Sequence, residues 1–223
     1  MFERNLTRKE FELIQQIETF VREKHRREAG HDYSHVLAIT GYAIEITRAI
    51  PEEVDPFVLI CGALFHDIGR VGTHTGIVHG LRGATIVREY LDAIGVSPDI
   101  RDKITRIVAR HTPTTRQAPE TIEEKIVYDA DALDRLGFMG MLRGLMGKKG
   151  STQDILEDRI QKRLGDYGKL HFEASRRIGE KLHEETLGVV QSFRVALEER
   201  NEEITNIDWP VRKGAAVEVP PPI

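Results

Sequence analysis

The stretch Asp55-Pro56-Phe57-Val58-Leu59-Ile60-Cys61-Gly62-Ala63-Leu64-Phe65-His66-Asp67-Ile68-Gly69 decides how this chain reads. Asp55 before Pro56 is a helix start, with a capping carboxylate and a proline at the first helical position. Gly69 is expected to close that helix. The segment between them is apolar until its last turn, where an imidazole and a carboxylate stand side by side. Burying such a pair is costly unless something pairs with both groups. A divalent cation would do so; the plainer alternative is a helix-terminal His followed by a capping Asp.

Outward from this stretch the periodicity is helical almost everywhere. Thr7 and Glu10 form a capping box before a helix with Leu13, Ile14, Ile17, Phe20 and Val21 on one face. Further helices are expected over about 34–49, 79–94 and 97–111. Thr121 and Glu124 make a second capping box and open the helix that carries Asp131. Gly137, Gly144, Gly147 and Gly150 precede a polar helix over about 153–164, and a long helix follows over about 166–200. No strand set and no internal repeat emerges. The fold class is therefore all-α, a single domain over residues 1–200. Residues 201–223, proline-rich toward their end, read as an extended or disordered tail.

The 223 residues can bury one substantial core. The net charge of −4 gives no global drive toward nucleic acid or an anionic membrane. No apolar run approaches the ~20 residues of a spanning helix. The opening Met1-Phe2-Glu3-Arg4-Asn5 lacks the apolar core of a signal peptide. The single cysteine, Cys61, excludes an internal disulfide framework and reads as an inert core thiol. These features point to the cytoplasm.

Helical spacing sorts the histidines. His35 aligns with Ile39, Tyr42 and Ile46, and His66 with Leu59 and Ala63. His79 aligns with Gly83, Val87 and Tyr90, and His111 with Ile100, Ile104 and Ile107. Four histidines thus sit near helix ends on the inward faces of four helices, an arrangement that a shared pocket explains better than four separate core histidines. His25, His171 and His183 lie in charged stretches and read as solvated. His74 falls in the expected loop Gly72-Thr73-His74-Thr75-Gly76. The cluster Asp129, Asp131 and Asp134 puts three carboxylates within a turn and a half, which repel unless a cation or base stands close.

The order His35, then His66-Asp67, then Asp131 resembles the HD superfamily of metal-dependent phosphohydrolases over roughly residues 20–195. His35 stands in His31-Asp32-Tyr33-Ser34-His35, and Asp131 in Tyr128-Asp129-Ala130-Asp131-Ala132-Leu133-Asp134. The resemblance implies a helical bundle with a metal site between helices, held by His35, His66, Asp67 and Asp131. Two imidazoles and two carboxylates suit Mn, Fe, Co, Ni or Zn, with Mg a further candidate. Asp67 and Asp134 are expected to orient a water or ligand, and Asp129 to face solvent. Arg70, directly after the doublet, is expected to meet substrate phosphate. His79 and His111 are expected to line the pocket of a one-metal site, with a second-metal role as the alternative. Thr112 follows His111 where cyclic-dinucleotide phosphodiesterases of this superfamily carry another His. Arg70-Val71 replaces the acidic pair of its alarmone hydrolases. Lys169 to Arg177 resembles the C-terminal helix of its small stand-alone members.

The expected function is hydrolysis of a small-molecule phosphate ester, a nucleotide being the favoured class: a phosphomonoesterase, phosphodiesterase or nucleotide pyrophosphohydrolase. The competing reading is a non-catalytic module that senses a nucleotide or metal. The acidic balance disfavours nucleic acid as a partner. A homodimer is a candidate assembly.

Overall fold

A computed structural model describes residues 1–26, 31–72, 78–146 and 148–207. Among them nine α-helices follow one another: α1 Arg8–Lys24, α2 Tyr33–Ala49, α3 Pro56–Phe65, α4 His79–Ala93, α5 Pro98–Arg110, α6 Ile122–Asp134, α7 Gly137–Leu145, α8 Thr152–Leu164 and α9 Glu173–Thr205. The only β pairing among these residues is an isolated bridge between Phe2 and Val54. The fold is all-α, as the periodicity predicts. His74 and the proline-rich segment from Val211 lie outside the described residues.

The centre of the bundle is α3. Nine of its ten residues are buried, so it has no polar face to turn outward. Neighbours α1, α2, α5 and α6 pack around it. Asp55 caps it, accepting from Phe57 N at 2.8 Å and Val58 N at 3.1 Å, with Pro56 in its first turn. Both predicted capping boxes are present, at Thr7/Glu10 and Thr121/Glu124. One core spans α1 to α6, reached by the start of α9. A smaller one, with Met141, Ile160 and Val190, ties α7, α8 and α9 together.

Three local readings change. The central helix ends at Phe65, and a 3₁₀ turn, Ile68–Arg70, follows. Gly69 is needed there for contact: a Cβ on it would lie 1.9 Å from His79 O and 2.6 Å from Gly83 N. It lets the turn after the doublet press on the start of α4, which carries His79. Secondly, α7 forms over the glycine-containing stretch to which the sequence reading assigns no element, because its packing on α9 overrides weak local propensity. Thirdly, the long helix starts at Glu173 and runs on to Thr205, past the expected tail boundary at 201. Its start is set from outside. Phe172 offers no side-chain cap, and Asp129 of α6 accepts from Phe172 N at 3.1 Å and His171 N at 2.9 Å.

Candidate metal centre

Helix ends converge as the histidine spacing predicts. His35 lies in the first turn of α2, His66 caps α3, His79 opens α4, His111 caps α5 and Asp131 is in α6. The four histidines are at most 3% exposed, Asp67 is 2% exposed and Asp131 8%. Sequence-distant polar groups are therefore buried together, and each needs a partner.

Three rings are fixed from behind. His35 Nδ1 is 2.8 Å from Asp134 Oδ2, His66 Nδ1 is 2.8 Å from Ala63 O, and His111 Nδ1 is 2.8 Å from Val108 O. A carbonyl and a carboxylate only accept, so each Nδ1 carries the proton and each Nε2 faces inward. His35 Nε2 and His66 Nε2 are 3.1 Å apart. With both rings neutral, two lone pairs would confront each other in a buried space. Only a positive charge resolves that contact. Either a cation or a proton on one ring supplies it. Burial pulls His35 down, but hydrogen bonds to Asp134 and Asp67 outweigh it and hold the ring above the usual imidazole range. Burial pushes His66 well below that range.

Asp67 stands between two imidazole pairs. Its Oδ2 is 3.5 Å from His35 Nε2 and 3.7 Å from His66 Nε2; its Oδ1 is 3.3 Å from His79 Nε2 and 3.4 Å from His111 Nε2. Burial pushes its carboxyl up, but the charges of His31, Arg70 and His66 outweigh that and keep it well below the usual carboxylate range. Asp131 Oδ1 is 3.9 Å from His35 Nε2, while its other oxygen is held by Arg135. Burial raises Asp131 too, and Arg135 and His66 more than reverse it. Two ionised carboxylates and inward-facing imidazoles form a donor set that fits a divalent cation. Among the described residues, three groups have ligand atoms within 4.8 Å of one another: His35, His66 and Asp131; His31, His35 and Asp67; and Asp67, His79 and His111. His79 Nε2 is likewise 3.1 Å from His111 Nε2.

The other residues singled out in the sequence lie as follows. Arg70 Nε is 2.8 Å from Asp67 Oδ1, with its side chain 28% exposed at the rim. Asp134 lies behind His35 and also pairs with Arg143 at 2.7 Å, so it bears on the site through the His35 ring. Asp129, expected at the surface, is fully buried as the anchor of α9, with His171 Nδ1 2.7 Å away. His171 is thereby tied down. His25, also expected in solvent, is fully buried with its Nδ1 2.7 Å from His31 O. His183, the third of the histidines read as solvated, is half-buried and stacks on Tyr167.

Sequence reasoning missed three residues. His31 Nδ1 is 2.6 Å from Asp67 Oδ2. It stands one turn before His35, but Asp32 caps α2 and leaves His31 outside the helical register. Arg135 follows Asp131 at i+4, a spacing that could have flagged it. Arg143 sits in α7, the helix that the glycines concealed.

Residues 32–136 match the HD domain family. The chain is 35% identical over 148 residues to protein MJ0778 of Methanocaldococcus jannaschii, a match covering 59% of this chain and 76% of that protein. It is 36% identical over 128 residues to a tRNA (cytidine(56)-2'-O)-methyltransferase of Picrophilus torridus, covering 51% of this chain and 34% of that enzyme. In fold it is similar to Bacillus subtilis YpgQ in complex with ADP, with a TM-score of 0.65 and 24% identity over 84% of this chain and 96% of that one. With His35, His66 and Asp131 in one buried cluster and Asp67 beside it, 3.5 Å from His35 Nε2, the chain belongs to the HD-domain family.

Proposed function

We propose that this protein is a metal-dependent phosphoric-ester hydrolase acting on a small-molecule phosphate ester, with a nucleotide as the favoured class. The supporting observation is the buried His35–His66 contact at 3.1 Å, whose facing ring nitrogens a cation would join, with Asp131 in the same donor group and Asp67 in one that shares His35. His35, His66, Asp67 and Asp131 would hold the cation. When bound, it supplies Lewis acidity toward a phosphoryl oxygen and a nucleophile competent near neutral pH. Asp67 fixes the spacing between the two imidazole pairs, one oxygen toward each. Arg70 holds Asp67 in that pose and, from the rim, offers a guanidinium to substrate phosphate. His79 and His111 line the far side of Asp67, placed to donate to phosphate or to the leaving oxygen. Thr112 follows His111 where a further histidine ligand would be needed, which favours one cation per chain. The ADP bound in the YpgQ structure supports a nucleotide as ligand.

The test is turnover by the metal-reconstituted protein on a panel of nucleotides, phosphomonoesters and phosphodiesters, following release of phosphate or pyrophosphate. Turnover is expected on at least one, and its loss in His66→Ala. Nucleotide binding without any turnover would contradict hydrolysis and favour the sensing reading.

A further inference from the structure

Asp67 reaches both imidazole pairs, so the direction of its two oxygens decides what each pair meets. A carboxylate turns readily about its last side-chain bond unless both oxygens are held. Here each oxygen has its own donor. Arg70 Nε donates to Oδ1 at 2.8 Å, and His31 Nδ1 lies 2.6 Å from Oδ2. An ionised carboxylate only accepts, so the proton of this bond sits on His31 Nδ1. Oδ2 is also the oxygen turned to the first pair, 3.5 Å from His35 Nε2 and 3.7 Å from His66 Nε2. His31 therefore grips the oxygen that faces the two ligand histidines.

His31 is itself held in place. Its carbonyl oxygen accepts from His25 Nδ1 at 2.7 Å, and His25 is the fully buried C-cap of α1. Its ring stands edge-on to His35, with centroids 5.5 Å apart and planes at 79°. It directly precedes Asp32, which caps α2. The end of α1 and the start of α2 thus fix the backbone and the ring face, and Nδ1 is left aimed at Asp67. The side chain is 32% exposed, against 3% for Asp67, so the ring closes the site from its outer side.

We propose that His31 is a positioning residue of the metal centre. Opposite Arg70, its Nδ1–H locks Asp67 so that Oδ2 stays with His35 and His66 while Oδ1 stays with His79 and His111. The inference rests on the metal-dependent reading and adds to it a residue that acts through Asp67. It also fixes which ring nitrogen matters. An asparagine amide nitrogen stands as many bonds from the backbone as His Nδ1, whereas a glutamine amide nitrogen stands one bond further out, where Nε2 lies. Asparagine should therefore replace His31, and glutamine should not.

The experiment measures Mn dissociation constants by titration calorimetry on the full metal-free chain. The wild type is compared with His31→Asn, His31→Gln, His31→Ala and His66→Ala, with circular dichroism confirming the helical fold of each. His31→Ala and His31→Gln should bind about tenfold or more weakly, and His31→Asn should stay within about threefold of the wild type. Equal constants for the Asn and Gln variants, or rescue by Gln alone, overturn the proposal. So does wild-type affinity in His31→Ala. A loss in His31→Ala as complete as in His66→Ala also overturns it, because His31 would then be a ligand. Should His31→Ala fail to fold, the contrast between Asn and Gln decides alone. A wild type that binds no Mn would bring down the metal-centre reading and the role of His31 together, whereas wild-type binding with indifferent His31 variants removes only that role.

Discussion

His35 donates its Nδ1–H to Asp134 Oδ2 at 2.8 Å, and this bond decides which ring nitrogen meets His66. Asp134 in turn is held by Arg143, which also reaches the Asp134 carbonyl at 3.2 Å. The ring is thus oriented from α6 and α7, while its own helix supplies only its position. Asp134→Ala should leave the fold intact and weaken metal binding by about tenfold to a hundredfold, the usual loss when a ligand histidine loses its outer partner. Titration calorimetry with Mn or Zn reads this directly. An affinity equal to that of the wild type would mean that the ring needs no support.

The raised His35 pKa gives metal binding a pH signature. A proton on His35 Nε2 would compete with a cation for the same lone pair. Because the folded pKa lies above the unfolded value, that proton stabilises the metal-free fold below the unfolded pKa, and the contribution fades as pH rises through the folded pKa. Metal affinity should run the opposite way, weakening as pH falls below the folded value by up to about tenfold per unit for one displaced proton. Dissociation constants measured from about pH 6 to 8 test this. A flat profile would show that His35 carries no competing proton.

Arg70 has two tasks, holding Asp67 Oδ1 at 2.8 Å and facing the pocket mouth. Arg70→Ala should keep its metal yet lose about tenfold or more in catalytic efficiency, the scale of one charge-assisted contact. Arg70→Lys should recover only part of it, since an ammonium lacks the fork. Full efficiency in Arg70→Ala would confine the side chain to solvent.

Asp129 carries no expected chemistry but anchors the long helix. Its carboxylate accepts from His171 N, His171 Nδ1 and Phe172 N, and it is fully buried. Asp129→Ala would strand those donors and should cost about 3 kcal/mol of stability. Urea unfolding of the metal-free chain measures it; a change within about 0.5 kcal/mol would contradict the anchoring role.

The helices and the histidine convergence were legible because each depends on local signals. Capping residues mark starts, and 3.6-residue spacing marks inward faces. Thus Asp55-Pro56 set α3, and four aligned histidines pointed to one pocket. What was not legible depends on partners distant in sequence. Asp129 looked like a surface carboxylate because its donors lie more than 40 residues later, at His171 and Phe172. α7 was hidden by glycines whose backbone closeness to neighbours is a tertiary fact, as Gly144 against Arg163 shows. His31 was passed over because it belongs to no helical face, yet the entry of the chain into α2 lays it on Asp67.

The most direct test of the central claim is the metal content of the purified full chain after loading and desalting, measured by elemental analysis. It is compared with His66→Ala and with His79→Ala/His111→Ala. A cation on His35, His66, Asp67 and Asp131 predicts about one equivalent in the wild type and in the double variant, and almost none in His66→Ala. Two equivalents falling to one in the double variant would mean that a second cation sits on His79 and His111. Wild-type metal content in His66→Ala would contradict the assignment.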